Sequence, residues 1–231
     1  MREWAKRLLG YDTETTGVGE DARILEFGAV LQESGKVVTS YQIFLRPPEV
    51  DWNAPSVREA MAVNKIEWAD LEKAKTFPEE FQYIKTALMQ SDVRCGHNVN
   101  FDSRMLKQEF RRAVAAGLLS PDMLKGAHNI VTLDTLALDF YLNPDADRHT
   151  LEHVAARWGV HNWQKHRAIG DADAAVRILT SMSNSLPDSL DEVVAICKAS
   201  QAKWEAMWEA RRDNRGDVTD EQKQLLLGGG A

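Results

Sequence analysis

Two acids set two residues apart, Asp12 and Glu14, are the first residues whose spacing points to chemistry. Side chains alternate across a strand, so positions i and i+2 project from one face and two carboxylates converge on one spot. Gly10 precedes them on that face and leaves space above it, while Thr15, Thr16 and Gly17 turn the chain sharply afterwards. An isolated pair of this kind is ordinarily a solvated strand end, so its meaning depends on what else faces it. Asp102 falls on the same helical stripe as Met105, Leu106 and Ala113, which directs it inward rather than to water. Asp171 shares a face with Ala174, Ala175, Ile178 and Met182, whereas Asp173 stands four residues before Arg177, as in an exposed ion pair. Four carboxylates aimed at one place repel one another unless cations neutralise them, and hard oxygen ligands select Mg²⁺ or Mn²⁺. Two such ions are the expected cofactors. His166, five residues before Asp171, is by itself more ordinary as a surface residue. Beside metal ions, however, an imidazole titrating near neutrality can take the proton from an attacking water.

The elements that must position these residues read as an α/β pattern. Strand-like runs cover 8–12, 24–31 and 36–45, with Ser34-Gly35 as a turn, and three strands so closely linked form an antiparallel meander. A helix with Phe81, Ile84, Lys85 and Leu88 on one stripe spans 78–89, followed by a strand at 93–97, a helix at 101–116 and a strand at 130–133. Helical patterns continue over 150–158 and 171–182, and Pro187-Asp188 opens another reaching about residue 212. This order implies a mixed five-stranded sheet flanked by helices. We expect one domain over 1–186 and a helical extension over 187–231.

At 231 residues and 44% hydrophobic content the chain can bury one core with little left over. Its charged N-terminus leads to no apolar run long enough for a signal peptide or a membrane span, which reads as a soluble cytoplasmic protein. Cys95 and Cys197, neither in a metal-ligand spacing, read as core residues in a reducing compartment. A net charge of −7 argues against a protein that coats nucleic acid. It leaves room for one that grips a few nucleotides through bound cations.

The segments Asp12-Thr13-Glu14-Thr15-Thr16-Gly17, His97-Asn98-Val99-Asn100-Phe101-Asp102 and His166-Arg167-Ala168-Ile169-Gly170-Asp171-Ala172 resemble the three exonuclease motifs of the DEDDh branch of the DnaQ-like superfamily. That group includes the proofreading epsilon subunit of bacterial DNA polymerase III, exonuclease X and ribonuclease T. Residue type, order and spacing all agree, with 88 positions from Glu14 to Asp102 and 69 from Asp102 to Asp171. The likeness covers about 8–182. It implies an RNase H-like fold and a two-metal mechanism in which Asp12, Glu14 and Asp171 hold one ion, and Asp12 and Asp102 orient the second. His166 would be the general base, and Thr15, Thr16, Asn98 and Phe101 would border the terminal nucleotide. The substrate implied is the 3′ end of single-stranded or frayed DNA, with RNA as the alternative and nucleoside 5′-monophosphates as products. A catalytically silent nucleic-acid-binding module and a phosphoesterase acting on small monoesters are the competing readings.

Two departures from the pattern stand out. Arg7 and Gly10 interrupt the first strand, so an irregular start is expected there. Asn64-Lys65-Ile66 occupies the place where relatives often carry a histidine-glycine-isoleucine or threonine-glycine-isoleucine turn. In the C-terminal extension, Val193, Cys197, Trp204 and Trp208 fit a helix packed on the domain or on a partner. The segment Gln224-Leu225-Leu226-Leu227 faintly resembles clamp-binding peptides, which would make a replication protein a partner; no oligomeric state follows from the sequence.

Overall fold

Leu8 and Leu9 point to opposite faces of one strand, and both are fully buried because helices cover the sheet on each side. The computed structural model describes residues 1–48, 50–124 and 130–213. His128 and the Gln224–Leu227 segment lie outside the described residues. Strands β1 (Arg7–Thr15), β2 (Ile24–Glu33) and β3 (Lys36–Phe44) form the expected antiparallel meander. Strands β4 (Val93–Gly96) and β5 (Val131–Asp134) extend it in parallel, giving the order β3-β2-β1-β4-β5. The RNase H-like arrangement is therefore present.

The helices are α1 (Pro55–Asn64), α2 (Trp68–Leu71), α3 (Phe77–Leu88), α4 (Val99–Ala115), α5 (Thr135–Leu142), α6 (Leu151–Arg157), α7 (Ala168–Met182) and α8 (Leu190–Asp213). One face of the sheet supplies Leu9, Tyr11, Phe27 and Leu31 to a core shared with Phe81 and Ile84 of α3 and Met105 and Phe110 of α4. The other supplies Leu8, Val30 and Cys95 to a core shared with Ala172, Val176 and Leu179 of α7. Val193 and Cys197 of α8 are buried in that second core, so this helix lies against the domain. No helix among the described residues is long and apolar enough to cross a membrane.

The structure corrects several boundaries. The start of β1 is regular: Arg7 already pairs with Glu33, and the register runs unbroken to Glu14. Arg7 sits on the exposed end, where its guanidinium meets the Glu33 carboxylate and the Gln90 carbonyl, so a charge there does not interrupt pairing. Helices α4 and α7 begin at Val99 and Ala168, each earlier than the apolar periodicity shows, because first-turn residues contribute little to an amphipathic stripe. Helix α5 follows β5 directly, with Asp134 accepting a hydrogen bond from the Leu136 amide as its cap. Its nearly all-round burial hides any periodicity.

Gly10 and Gly28 decide how close α7 comes to the sheet. A Cβ on Gly10 would stand 2.2 Å from the Ala172 carbonyl oxygen, and one on Gly28 would stand 2.2 Å from the Ala168 carbonyl carbon. The helix thus rests on strand backbone, and only glycine permits this approach. We expect Gly28→Ala to destabilise the fold by about 2 kcal/mol or more through overpacking, lowering Tm by roughly 4–8 °C. Gly19→Ala, where an added Cβ meets nothing, should leave Tm unchanged. Equal melting of the two variants in a thermal scan would disprove the close contact.

Candidate active site

Because α7 lies directly on β1 and β2, its first turn reaches the carboxyl end of β1. Asp12 and Glu14 project from the strand face that carries Gly10, and Asp171 descends from α7 onto the same spot. Carboxylate oxygens of Asp12, Glu14 and Asp171 all lie within 4.8 Å of one another. Asp102 arrives from the other layer. Beyond Gly10 and its partner Cys95, β1 and β4 no longer pair, which leaves the Thr13 amide without a strand partner on that side. The buried Asp102 carboxylate fills the gap, accepting from the Thr13 amide and the Thr13 hydroxyl, each at 2.8 Å. One turn of hydrogen bonding thereby fixes an acid of α4 beside Asp12.

The group Asp12, Glu14 and Asp171 is a hard, all-oxygen donor set, and its electrostatics fit a divalent cation. Burial pushes the Asp12 carboxyl well above the usual range, and the charges of Asp102, Asp171 and Glu14 push it further. Burial, then Asp171 and Glu26, raise Glu14 to about 8. Asp102 is raised to about 7 by burial, against the lowering hydrogen bonds from Thr13. Asp171 is raised to about 6 by burial, offset in part by hydrogen bonds from the Asn162 side chain and the His166 backbone. Carboxyls that resist ionising together are held apart from their charges, and cations restore them.

Asp171 also anchors the loop before α7. Asn162 Nδ2 donates to its carboxylate at 2.5 Å, and the Asn162 carbonyl oxygen of the side chain accepts from the Gln164 amide at 3.1 Å. His166 follows in a left-handed conformation, φ 61°, half-buried. Its imidazole is held below the ordinary histidine range by burial first and by the nearby Lys65 and Lys165 charges second, so the ring is neutral at neutral pH. Arg167 then donates to Glu26 Oε2 at 3.0 Å, and Glu26 is completely buried across from Glu14 in the β1–β2 register.

The residues expected to border a terminal nucleotide lie on the segments that follow Glu14 and precede Asp102. Thr15 donates its hydroxyl to the Gly17 carbonyl, and the Thr16 hydroxyl accepts from the Arg23 amide. Both hydroxyls are engaged within the β1–β2 connection. Asn98 is left-handed, φ 59°, with its amide donating to Asp134 at 2.9 Å. Phe101 is half-buried beneath the Arg104 guanidinium, 5.4 Å from its ring centre. His97 is buried and structural: its Nε2 donates to the His149 carbonyl, and Nδ1 faces the Thr135 hydroxyl. Sequence reasoning missed Asn162, Glu26 and Asp134 as supports. An acid inside the otherwise apolar β2, opposite Glu14 once the meander is aligned, was the available signal for Glu26; Asn162 carried none.

With this geometry in view, the likeness to known proteins is decisive. A family model, RNase T, described as an exonuclease, matches residues 9–179. The chain belongs to the RNase T exonuclease family. The DNA polymerase III PolC-type protein of Clostridium perfringens is 28% identical to this exonuclease over 186 residues, 78% of the chain. That of Latilactobacillus sakei is 25% identical over 185 residues, 79% of the chain. The exonuclease spans only 11% and 12% of the length of these two relatives. Among solved structures, exonuclease X in complex with 5′ overhanging duplex DNA shares its fold at a TM-score of 0.58 and 18% identity, covering 82% of this chain and 99% of that one. The nuclease domain of 3′hExo, a DEDDh family member bound to rAMP, does so at 0.62 and 14%, covering 80% and 95%. The zinc-bound complex of E. coli exonuclease I with single-stranded DNA gives 0.64 and 18%, covering 79% and 41%. The family's chemistry is metal-dependent 3′–5′ exonucleolysis.

Two expectations follow for the exonuclease. Raised carboxyl values mean that the fold favours the protonated acids, so stability without metal falls as pH climbs from the unfolded carboxyl range through the folded values. His97, held at about 4 by burial, opposes this below its unfolded value near 6.5. The clean window is therefore pH 6.5–8, where Glu14 and Asp102 titrate. Thermal melts in chelator should fall across that window, Mg²⁺ or Mn²⁺ should restore Tm at pH 8, and Glu14→Gln should flatten the fall. A flat wild-type profile would contradict mutual crowding of these acids. Separately, Asn162→Ala should make the 161–167 loop more susceptible to limited proteolysis while changing Tm little; unchanged cleavage would show that Asp171 does not hold the loop.

Proposed function

We propose that this domain hydrolyses the terminal phosphodiester at the 3′ end of single-stranded or frayed DNA, releasing nucleoside 5′-monophosphates. The observation that carries the reading is the meeting of three carboxylates from β1 and α7 within 4.8 Å, with Asp102 adjacent and His166 on the loop anchored to Asp171. Asp12, Glu14 and Asp171 would hold one divalent cation, and Asp12 with Asp102 would orient a second, Mg²⁺ or Mn²⁺ in each case. Bound there, the ions supply the charge neutralisation and Lewis acidity that a phosphodiester requires.

The chain's own groups do the rest. His166, neutral at neutral pH, takes a proton from the attacking water as the water oxygen bonds to phosphorus. The bond from phosphorus to the 3′ oxygen of the preceding nucleotide breaks, and that oxygen leaves with a proton from solvent. Asn162 and the His166 amide hold Asp171 in place. Asn98, Phe101, Thr15 and Thr16 wall the position of the terminal nucleotide. The preference for DNA, and a replication protein as partner, draw support from the PolC-type relatives.

The test is a single-turnover digestion of a 5′-labelled oligonucleotide with Mg²⁺. Asp12→Ala should abolish shortening from the 3′ end, and His166→Ala should slow it by roughly 10²–10⁴-fold. Matched DNA and RNA of one sequence should be digested with DNA ahead. Equal digestion by wild type and Asp12→Ala would sink the mechanism. Phosphate release from small monoesters with oligonucleotides untouched would favour the phosphoesterase reading instead.

A further inference from the structure

Lys65 occupies the last position at which a lysine is expected, the left-handed residue that ends α1, with φ 55° and ψ 29°. This conformation crowds a Cβ, and glycine adopts it freely. The turn is nevertheless fastened on both sides. Asn64, 2% exposed, accepts from the Ile66 amide at 3.1 Å and donates from Nδ2 to the Thr15 carbonyl at 3.5 Å. Ile66 is buried with Leu25 and Leu71. Lys65 is thus presented by a rigid turn bound to β1 at the residue after Glu14, with its own side chain exposed. It stands near enough to His166 for its charge to be felt by the imidazole.

Most cations around this region are already neutralised. Arg167 pairs with Glu26, Arg23 and Arg112 with Glu109, and Lys165 with Glu152. Arg104 donates to the Val18 carbonyl over Phe101. Among the described residues, Lys65 has neither a carboxylate partner nor a hydrogen-bond acceptor. A strained backbone that persists only because its surroundings over-determine it is a sign of function. Here it displays an unneutralised ammonium on the turn bound to Thr15 and within electrostatic reach of His166, in a chain of net charge −7 that must admit a polyanion.

We propose that Lys65 binds a backbone phosphate of the substrate strand next to the scissile bond, and so helps set substrate affinity. The inference rests on the 3′-exonuclease reading above. A lysine on a phosphate acts as a point charge, displacing a counterion and leaving no record of base identity.

Four proteins decide it: wild type, Lys65→Gly, Lys65→Gln and Lys65→Arg, each assayed on a 5′-labelled single-stranded DNA with Mg²⁺ over a series of KCl concentrations. Lys65→Gly relieves the strain and removes the charge. Its Tm should equal or exceed that of wild type, while KM rises about 3–10-fold with kcat little changed, and the log–log salt dependence of kcat/KM becomes shallower by about 0.7–1. Lys65→Gln keeps the strain, so it should match the glycine variant in KM and salt slope without the gain in Tm. Lys65→Arg should restore KM and slope. If both neutral variants keep the wild-type KM and slope, or if kcat falls with the slope unchanged, the assignment is overturned. Wild type that fails to shorten the oligonucleotide at all would instead remove the functional reading on which the assignment stands.

Discussion

The contact of helix α7 with bare strand backbone at Gly10 and Gly28 is the constraint on which the rest of the molecule depends. A side chain at either position would lift the helix and carry Asp171 away from Asp12 and Glu14. Everything chemical in the domain occurs where that contact ends. The strand face that is stripped to glycine under the helix body turns acidic at its first turn, so one approach distance both completes the core and assembles the centre.

A dense acidic centre is a liability to a fold, and the surroundings show how it is contained. Asp102 and Asp171 each receive hydrogen bonds from the backbone, Glu26 is matched by Arg167 and Gln42, and Asp134 is engaged by amides at the entrances of two helices. Among the described residues Asp12 and Glu14 show no such hydrogen bonds, and burial with the neighbouring carboxylates raises both. The crowding is greatest at Asp12 and Glu14, while Glu26 and Asp134, matched by Arg167, Gln42 and helix-entrance amides, brace the site without joining the donor set.

Much of this was legible in the sequence, for physical reasons that differ by element. Alternation fixed the facing of Asp12 and Glu14, and helical periodicity turned Asp102 and Asp171 inward while sending Asp173 out to Arg177, the pair seen at 2.7 Å. The meander and the sheet composition followed from turn residues and apolar runs. What escaped were relations across distance: Glu26 faces Glu14 only once two strands are aligned, and Asn162 reaches Asp171 only because its loop folds back. Helix α5 escaped because burial on all sides erases the pattern that would reveal it. Gly10 read both as space above the acidic strand face and as an interruption of the strand; the helix seated on it shows that the first reading holds.

Four non-glycine residues among those described carry a positive φ, and three of them, Lys65, Asn98 and His166, belong to the turn bound to Thr15, the entrance of the helix that carries Asp102 and the loop before Asp171. The consequence concerns engineering. Glycine at any of these positions is the substitution that backbone energetics recommends, and a stability-ranked screen would select it early. Such a screen would draw thermal resistance from the turns that border Thr15, Asp102 and Asp171. Thermostabilising changes in this domain belong on the outer turns of α3, where no residue carries a positive φ.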